Sequence, residues 1–559
     1  MSSLPKVSII LTSFNRPHFL REAIESVLNQ TLKNIELIIV DDCSTISAVD
    51  QIIDNYAYKD NRIKAFKTSR NINNIAILWN KGIDNSSGEY IALLDDDNLK
   101  FPEFCEKMSN WLDENKEYYA VACFAQIVKN TIENKAGIFD FPAKMTSENI
   151  RYDNYVDSGC MMFRRSLIDE IGWFDERMKT NEDWDYVKRI VFQTSHGFGV
   201  IPEPLCYYRW HDSNRLLIRD QLGDPYFRKM LDWKNYNRVQ KLLFFHQDCD
   251  KLTLSQRNVL FGILSALKEL NFLDVESMAV SHLNRCRNLK SNYDMLFIFA
   301  PFSIDIHYIA RLSAWSAERI HFHIEDPQAM EINSKAAKYA TYIWTNDISV
   351  KQEYEKIVGF GRCGFCPSIS FDDIHLKLPD SQKEYDIVFY GYAYDSRKQF
   401  MQRLEPKLKK AGLNYLVIGG GWSRKNSHYI GELSQDESLA LLAKSKIVIL
   451  KNRSKTDLGG GDHSIQPQSV VRGYFEAGSG ALVMIDSERQ HHSFDGEVIF
   501  YQDVADLEKK IIFFLENEDK RKKISQAAQK RALSDWTYRT RMRKLVNVVR
   551  SQRFNIEIK

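Results

Sequence analysis

The sequence predicts an α/β protein in which parallel-sheet modules follow one another along the chain. Two observations predict it. Short apolar runs alternate with amphipathic helical stretches over the first 110 residues, and the same alternation restarts near residue 295. A third sets the scale: 559 residues exceed what one hydrophobic core can serve, so several domains are expected.

Val7-Ser8-Ile9-Ile10-Leu11 reads as the first strand. Phe19, Leu20, Ala23, Ile24, Val27 and Leu28 then share one helical stripe, at spacings of three and four. Glu36 to Val40 is the next strand and ends at Asp41-Asp42. After a helix, Arg62 to Phe66 is the third strand, Ile75 to Ile83 a helix, and Tyr90 to Leu94 the fourth strand. Strands separated by helices read as a parallel sheet with right-handed crossovers. The stretch from about 124 to 235 reads as irregular, and 236 to 290 as mainly helical. The second series comprises Met295–Phe299, Ile320–Ile324, Asp386–Tyr390, Tyr415–Ile418, Ile447–Leu450 and Ala481–Ile485.

The fourth strand ends in Asp95-Asp96-Asp97-Asn98. Adjacent carboxylates repel one another, and a core has no use for them. A divalent cation turns the repulsion into binding, because Mg²⁺ and Mn²⁺ favour carboxylate oxygens and are held by one or two of them plus substrate phosphates. The carboxyl end of a strand in an open α/β sheet is also where ligands bind. A charged, solvated loop is the bland alternative. Three further features fall in the same half. Thr12-Ser13-Phe14-Asn15-Arg16-Pro17 stands where the first strand meets its helix, a position suited to a nucleotide base. Asp41 stands at the end of the second strand, as a ribose or base acceptor or as a helix N-cap. Asn181-Glu182-Asp183-Trp184-Asp185 precedes an apolar helix, whose positive N-terminal end alone would favour such acids.

In order and spacing these pieces resemble family 2 inverting glycosyltransferases with the GT-A fold, close to the spore-coat polysaccharide type. The resemblance covers roughly residues 5–215. It is carried by Val7–Pro17, "NQT" at 29–31, "IVDDCS" at 39–44, "GEYIALLDDDN" at 88–98, "FDERMKTNEDWD" at 174–185 and "YRWH" at 208–211. It implies a nucleotide-sugar donor held by Thr12, Phe14, Asn15, Arg16, Asp41, Asp95 and Asp96, with Asp96 otherwise a spacer. It implies Mn²⁺ or Mg²⁺ on Asp95 and Asp97, completed by His211 unless that histidine is structural. It makes Asp183 the general base that deprotonates the acceptor hydroxyl. Direct displacement with one base inverts the anomeric centre.

Residues 293–535 resemble the CgeB-like spore-maturation proteins of GT-B character. The pieces are "FHIEDPQAM" at 322–330, "TYIWTND" at 341–347, "VFYGYAYDSR" at 388–397, "SIQPQSVVRGYFEAGSGALVMID" at 464–486 and "YQDVADLEKKI" at 501–511. This implies donor ribose on Glu476 and phosphate on Arg397 or Arg472. An Arg472–Glu476 ion pair, four apart on one helix face, is the alternative. Gly391, the run Gly419–Gly421 and the loop Gly459–Ser464 allow backbone to approach a ligand, or are tight turns.

The expected organisation is therefore α/β, a GT-A nucleotide-sugar-binding domain followed by a Rossmann-like GT-B-type module. Its boundaries are 1–235 for GT-A, 236–292 for a helical connector, 293–375 for a first Rossmann-like half and 376–559 for a second, ending in basic helices. A first half of about 80 residues is short for GT-B. The expected function is a metal-dependent glycosyltransferase acting on a glycan or lipid-linked glycan, bifunctional with its C-terminal half. The alternatives are one active GT-A enzyme carrying a binding or oligomerisation module, and a catalytically dead glycan-binding scaffold.

Composition sets the outer limits. A net charge of +2 gives no mandate for nucleic acid. Nine scattered cysteines suit free thiols in a reducing compartment, and the single CxxC, Cys363–Cys366, suits ordinary loop thiols better than zinc. The N-terminus has no signal-peptide layout and no window reads as a membrane span, so a cytoplasmic protein is expected. Lys520–Lys523 with Arg539, Arg541, Arg543, Lys544, Arg550 and Arg553 read as a solvated helix face, with peripheral contact to the inner face of a membrane as the other reading. A homo-oligomer is left open.

Overall fold

The computed structural model of the chain describes residues 4–140, 150, 156–178, 180–194, 196–211, 239–285, 293–324, 326, 329–366, 382–423, 428–452, 473–486 and 496–551. The chain forms two compact units. Unit 1 takes residues 1–238 together with 546–553, and unit 2 takes 239–545 with 554–559.

Unit 1 runs β1 (Val7–Ser13), α1 (Pro17–Leu28), β2 (Ile35–Asp41), α2 (Ser47–Lys59), β3 (Ile63–Lys67), α3 (Ile75–Asp84), β4 (Tyr90–Asp95), β5 (Leu99–Lys100), α4 (Phe104–Glu114), β6 (Tyr118–Lys129), β7 (Lys135–Phe139), β8 (Met161–Arg164), α5 (Leu167–Ile171), α6 (Glu182–Gln193) and β9 (Gly197–Trp210). The strand order is β3-β2-β1-β4-β8-β6-β9-β5, with β7 against β6. The first four strands are parallel, and β8 is antiparallel to both β4 and β6. Chain order reverses between β1 and β4, which opens a crevice beyond their carboxyl ends. The register puts Thr12 beside Asp95 and Ser13 beside Asp41 at that crevice.

Glu36 ties the opposite end of this sheet. Its buried carboxylate accepts from Ser8 Oγ at 2.7 Å, Lys64 Nζ at 2.8 Å and the Gly88 N–H at 3.1 Å, joining three neighbouring strand entries. These donors outweigh its burial and hold its pKa below the ordinary glutamate value.

The segment expected to be irregular carries regular structure. Within 124–211 lie the end of β6, strands β7 to β9, α5 and α6. The reason is Pro202 and Pro204. They read as strand breakers, yet they sit where the β6–β9 ladder shifts register, between Cys123↔Ile201 and Phe124↔Pro204. The described cysteines are free, as expected. Three of them meet in the core, with Sγ–Sγ distances of 3.5 Å for Cys160–Cys206 and 4.0 Å for Cys123–Cys206.

Unit 2 contains two six-stranded sheets in which every paired neighbour is parallel. The first holds β10 (Gln240–His246), β11 (Leu273–Ala279), β12 (Met295–Phe299), β13 (Glu318–His323), β14 (Tyr342–Thr345) and β15 (Cys363–Phe365), in the order β11-β10-β12-β13-β14-β15. The second holds β16 (Tyr385–Tyr390), β17 (Tyr415–Ile418), β18 (Tyr429–Ile430), β19 (Ser445–Leu450), β20 (Leu482–Asp486) and β21 (Ile499–Tyr501), in the order β18-β17-β16-β19-β20-β21.

The helical connector expected at 236–292 is corrected by β10 and β11. These strands extend the first sheet, so its half is not truncated. Edge strand β11 (LDVESMA) buries only Leu273 and Met278, and its mixed composition carries too short an alternation to read.

The solvated basic face holds for Lys520, Lys523 and Arg539, which are exposed, but not throughout, and Arg553 lies outside the described residues. Arg521 and Arg541 are buried, Arg541 lies 3.2 Å from the centroid of the Trp536 ring, and Arg539 pairs with Glu269 at 2.6 Å. Residues 546–553 belong to unit 1 instead of ending the second Rossmann-like half. Among the described residues no helix is long and apolar enough to cross a membrane.

A Cβ at Gly88 would lie 2.6 Å from Ser8 Oγ and 2.7 Å from the Ser8 nitrogen. Gly88→Ala should therefore cost about 1–3 kcal/mol, read as a lowered midpoint of urea unfolding.

Candidate active site

The crevice at the end of β1 and β4 gathers the acids. Asp95, last in β4, accepts from Thr12 Oγ1 at 2.9 Å. Asp96 is 3% exposed and accepts from the Phe14 N–H at 3.0 Å and from Arg16 Nη1 at 3.0 Å. The same Arg16 nitrogen reaches Asp97 Oδ2 at 2.7 Å, and His211 Nε2 lies 3.0 Å from that oxygen. Arg16 thus bridges two members of the triplet. Burial opposes its charge, but Asp96 and Asp97 outweigh that and raise its pKa.

Electrostatics mark the cost of this packing. Burial, then Asp97, push Asp95 up to about 6. Burial, then Asp97, push Asp96 up to about 7 against Arg16 and the Phe14 N–H. Asp96 is therefore more than a spacer, since its carboxylate ties the β1–α1 loop to the triplet.

The loop itself is braced twice. Asn15 adopts φ +54°, and its Oδ1 accepts from the Thr45 N–H at 2.8 Å and the Ile46 N–H at 3.1 Å. Its own N–H donates to Ser44 Oγ at 2.9 Å. Asp41 is buried and holds Ser44 through its N–H at 2.8 Å and its hydroxyl at 2.5 Å. Asp41 does not cap α2, whose N-cap is Ile46. Asn15 and Asp41 thus brace the loop through Ser44, Thr12 holds Asp95, and Phe14 is 41% exposed.

Asp183 stands in the first turn of α6, after Asn181 at φ +57°. The helix-end reading of these acids is met by their place in the first turn. Two residues that the sequence did not single out join Asp183 to the triplet. Asp157 accepts from the Gly159 N–H at 2.8 Å, and burial, Asp95 and Asp183 together push its pKa well up. Tyr208 on β9 is raised too, by burial and then by Asp157, Asp97, Asp95 and Asp183. Charges from both acidic sequence features thus bear on Asp157 and Tyr208. Asn98, Lys100, Asp157 and Tyr208 share a narrow cleft there. Lys100, 4% exposed, donates to the Gly159 carbonyl and lies 4.0 Å from the Phe104 ring centroid. Asn98 Oδ1 accepts from the Arg209 N–H at 2.9 Å and so fixes β9 beside the triplet. Tyr208 lay inside a quoted motif; Asp157 lies in a loop with no pattern to flag it.

The donor set suits a hard divalent cation. Asp95 and Asp97 offer carboxylate oxygens side by side, and His211 Nε2 is already against Asp97. Among the described residues, no three His, Cys, Asp or Glu side chains are already gathered as a metal cage.

In unit 2 the expected donor residues are turned to their own backbone. Arg397 is 4% exposed and donates to the Lys451 carbonyl at 2.8 Å and the Tyr392 carbonyl at 3.2 Å. Glu476 is buried and accepts from the Gly473 N–H at 2.7 Å. Arg472 and Gly459–Ser464 lie outside the described residues.

The chain is similar in sequence to known proteins. The description "Glycosyl transferase family 2" matches residues 8–172, and "Glycosyl transferase-like" matches residues 397–547. An uncharacterized glycosyltransferase of Bacillus subtilis, YwdF, is 33% identical over 193 residues, covering 33% of this chain and 67% of its own length. The chain belongs to glycosyl transferase family 2. Another family relative, MJ1057 of Methanocaldococcus jannaschii, is 28% identical over 249 residues, 43% of this chain and 84% of that protein. Among solved structures, S. aureus TarS 1-349 in complex with UDP aligns at 21% identity and a TM-score of 0.32, covering 37% of this chain and 60% of that one. The mannosyltransferase PcManGT of Pyrobaculum calidifontis, in complex with GDP-Man and Mn²⁺, aligns at 16% identity and a TM-score of 0.30, covering 42% of this chain and 70% of that one. This family 2 chain is thus GT-A in type at its N-terminus, with a GT-B-like module after it.

Asp95 has a folded pKa of about 6 against 3.8 in the unfolded chain, so its ionisation costs stability. That cost grows as pH rises from about 4 and is complete above about 6. Asp95→Asn should therefore raise the Tm at pH 7.5 by a few degrees while weakening Mn²⁺-dependent nucleotide binding, measured by scanning calorimetry and titration calorimetry.

Proposed function

We propose that unit 1 is a metal-dependent inverting glycosyltransferase that moves a sugar from a nucleotide-sugar to an acceptor hydroxyl. The acceptor is a glycan or lipid-linked glycan of a surface polysaccharide. The observation that carries the reading is the acid cluster at the carboxyl end of β4, where Asp95 meets Thr12 and Asp97 meets both Arg16 and His211; Asp183 joins it through the charges that both exert on Tyr208.

Each residue then has a task. The Phe14 ring, exposed at the β1–α1 loop, gives the donor base a surface to stack on. Asp95 and Asp97 would hold Mn²⁺ or Mg²⁺, with His211 beside Asp97. When bound, that cation supplies Lewis-acid stabilisation of the departing diphosphate. Arg16, already paired with Asp97, adds positive charge on the same side of the crevice. Asp183 accepts the proton of the attacking hydroxyl, and Asp157 and Tyr208 line the space between base and triplet.

A second transferase in unit 2 makes the chain bifunctional. The 3-2-1-4-5-6 order of its second sheet supports this, because the crevice of such a sheet lies between β16 and β19. A specific observation favours the rival reading, a non-catalytic GT-B-like module. Arg397 and Glu476 spend their polar atoms on the fold around them.

Asp183→Asn should lower kcat by about 10²–10⁴-fold with donor affinity unchanged. Near wild-type turnover would remove Asp183 as the base. In product analysis of the full chain, Asp97→Ala and Glu476→Ala should abolish different transfers. If Glu476→Ala leaves every product intact, unit 2 is a binding module.

A further inference from the structure

The stretch that delivers Asp183 into the site is held by residues from the other end of the chain. Between α5 and α6, residues 172–178 form no regular element, and side chains bond their backbone from three directions. From α3, Asn80 donates to the Phe174 carbonyl at 2.9 Å, and Asn74 donates to the carbonyls of Glu176 at 2.9 Å and Met178 at 3.1 Å. From α6, Arg189 donates to the Trp173 carbonyl at 2.7 Å, and the Tyr186 hydroxyl to the Gly172 carbonyl at 3.3 Å.

The third direction is the segment 546–551. The Glu176 N–H donates to the Ser551 carbonyl, and Arg177 Nη2 to the Arg550 carbonyl, each at 3.2 Å. Ser551 Oγ donates to the Trp173 carbonyl at 3.3 Å, and Asn547 Nδ2 to the Asp169 carbonyl at 3.2 Å. Arg550 Nη2 reaches past the loop to Gln193 Oε1, at the far end of α6, at 2.8 Å. Asn547 is fully buried and Ser551 nearly so. Gly172, at φ +82°, leaves room for them, since a Cβ there would lie 2.9 Å from Ser551 Oγ and 3.1 Å from Asn547 Cβ.

This segment therefore grips both sides of Asp183: the loop before it and the last turn of the helix that carries it. A helix that merely covered apolar residues would not need hydrogen bonds to Asp169 in α5 and to Trp173, Glu176 and Arg177 in the loop. A base must stand within hydrogen-bond reach of the hydroxyl it deprotonates, and a displacement of about 1 Å can cost on the order of 10²-fold in rate.

We propose that Asn547, Arg550 and Ser551 are positioning residues for the Asp183 base, so that transfer by unit 1 depends on the C-terminal segment. The inference rests on the transferase reading of unit 1. None of the three touches the donor crevice, so donor binding should not need them.

The test uses the full chain with Mn²⁺ and a panel of UDP-, GDP- and dTDP-hexoses, carrying forward the donor that the wild type turns over fastest. Asn547→Ala and Arg550→Ala should lower kcat by about 10–100-fold and leave donor KM within about twofold. Arg550→Lys, which can still donate to Gln193, should recover most of the loss. Unchanged kcat in both alanine variants overturns the proposal. So does a loss matched by the unfolded fraction in calorimetry, because that is a stability effect alone. A wild type that turns over no donor defeats the transferase reading instead. Amide hydrogen exchange of residues 173–186 then decides the brace by itself: faster exchange in the alanine variants supports it, and unchanged exchange overturns it.

Discussion

Three carboxylates in succession at the mouth of a parallel sheet repel one another, and burial makes Asp95 and Asp96 harder to ionise. The ion pair of Arg16 with Asp96 and Asp97 is what allows them to be there. Arg16 follows β1 and the acids follow β4, so the pair spans the point where strand order reverses. Asp96 adds the Phe14 N–H to the same knot. The β1–α1 loop is thereby pinned across the crevice, and Asn15 carries the tie to the β2–α2 loop. Crevice shape and crevice charge are one arrangement. Moving any one of these loops would strand a buried charge, which costs more than an exposed ion pair contributes.

What could be read in advance follows from physical range. Strands β1 to β4 are continuous apolar runs ending in acids, and their helices carry clear stripes; local pattern suffices there. Strand β9 was hidden because Pro202 and Pro204 look like breakers until β6 is beside them to absorb the register shift. Strands β10 and β11 were hidden because one is a short apolar run of either type and the other is an edge strand that buries only Leu273 and Met278. Asp157 could not be recognised from its neighbours in sequence, since its importance comes from Asp95 and Asp183, which only folding brings near. The basic C-terminal residues misled for the same reason: Arg541 is covered by Trp536, and a linear charge count cannot see a ring above a guanidinium.

The two sheets of unit 2 repeat a solution in two orders. Numbered from their own first strands, one runs 2-1-3-4-5-6 and the other 3-2-1-4-5-6, both known doubly wound arrangements. The second places Gly391 and Lys451 at its reversal. There Arg397 spans both loops by donating to the Tyr392 and Lys451 carbonyls. A buried guanidinium in that role stiffens a crevice whether or not a ligand enters it. The same geometry therefore serves catalysis and simple binding.

The discontinuity of unit 1 has a consequence for how the protein is made. Its first 238 residues leave the ribosome long before residues 546–553 exist, with roughly three hundred residues in between. At about 5–20 residues per second, that delay is on the order of 15–60 s. During it the sheet, with its local contacts, can form, while the loop ahead of Asp183 still lacks its last partners. The nascent chain would thus carry a folded but incompletely braced transferase domain, exposed to proteases and chaperones at residues 172–178. That domain is completed only when residues 546–551 have been made.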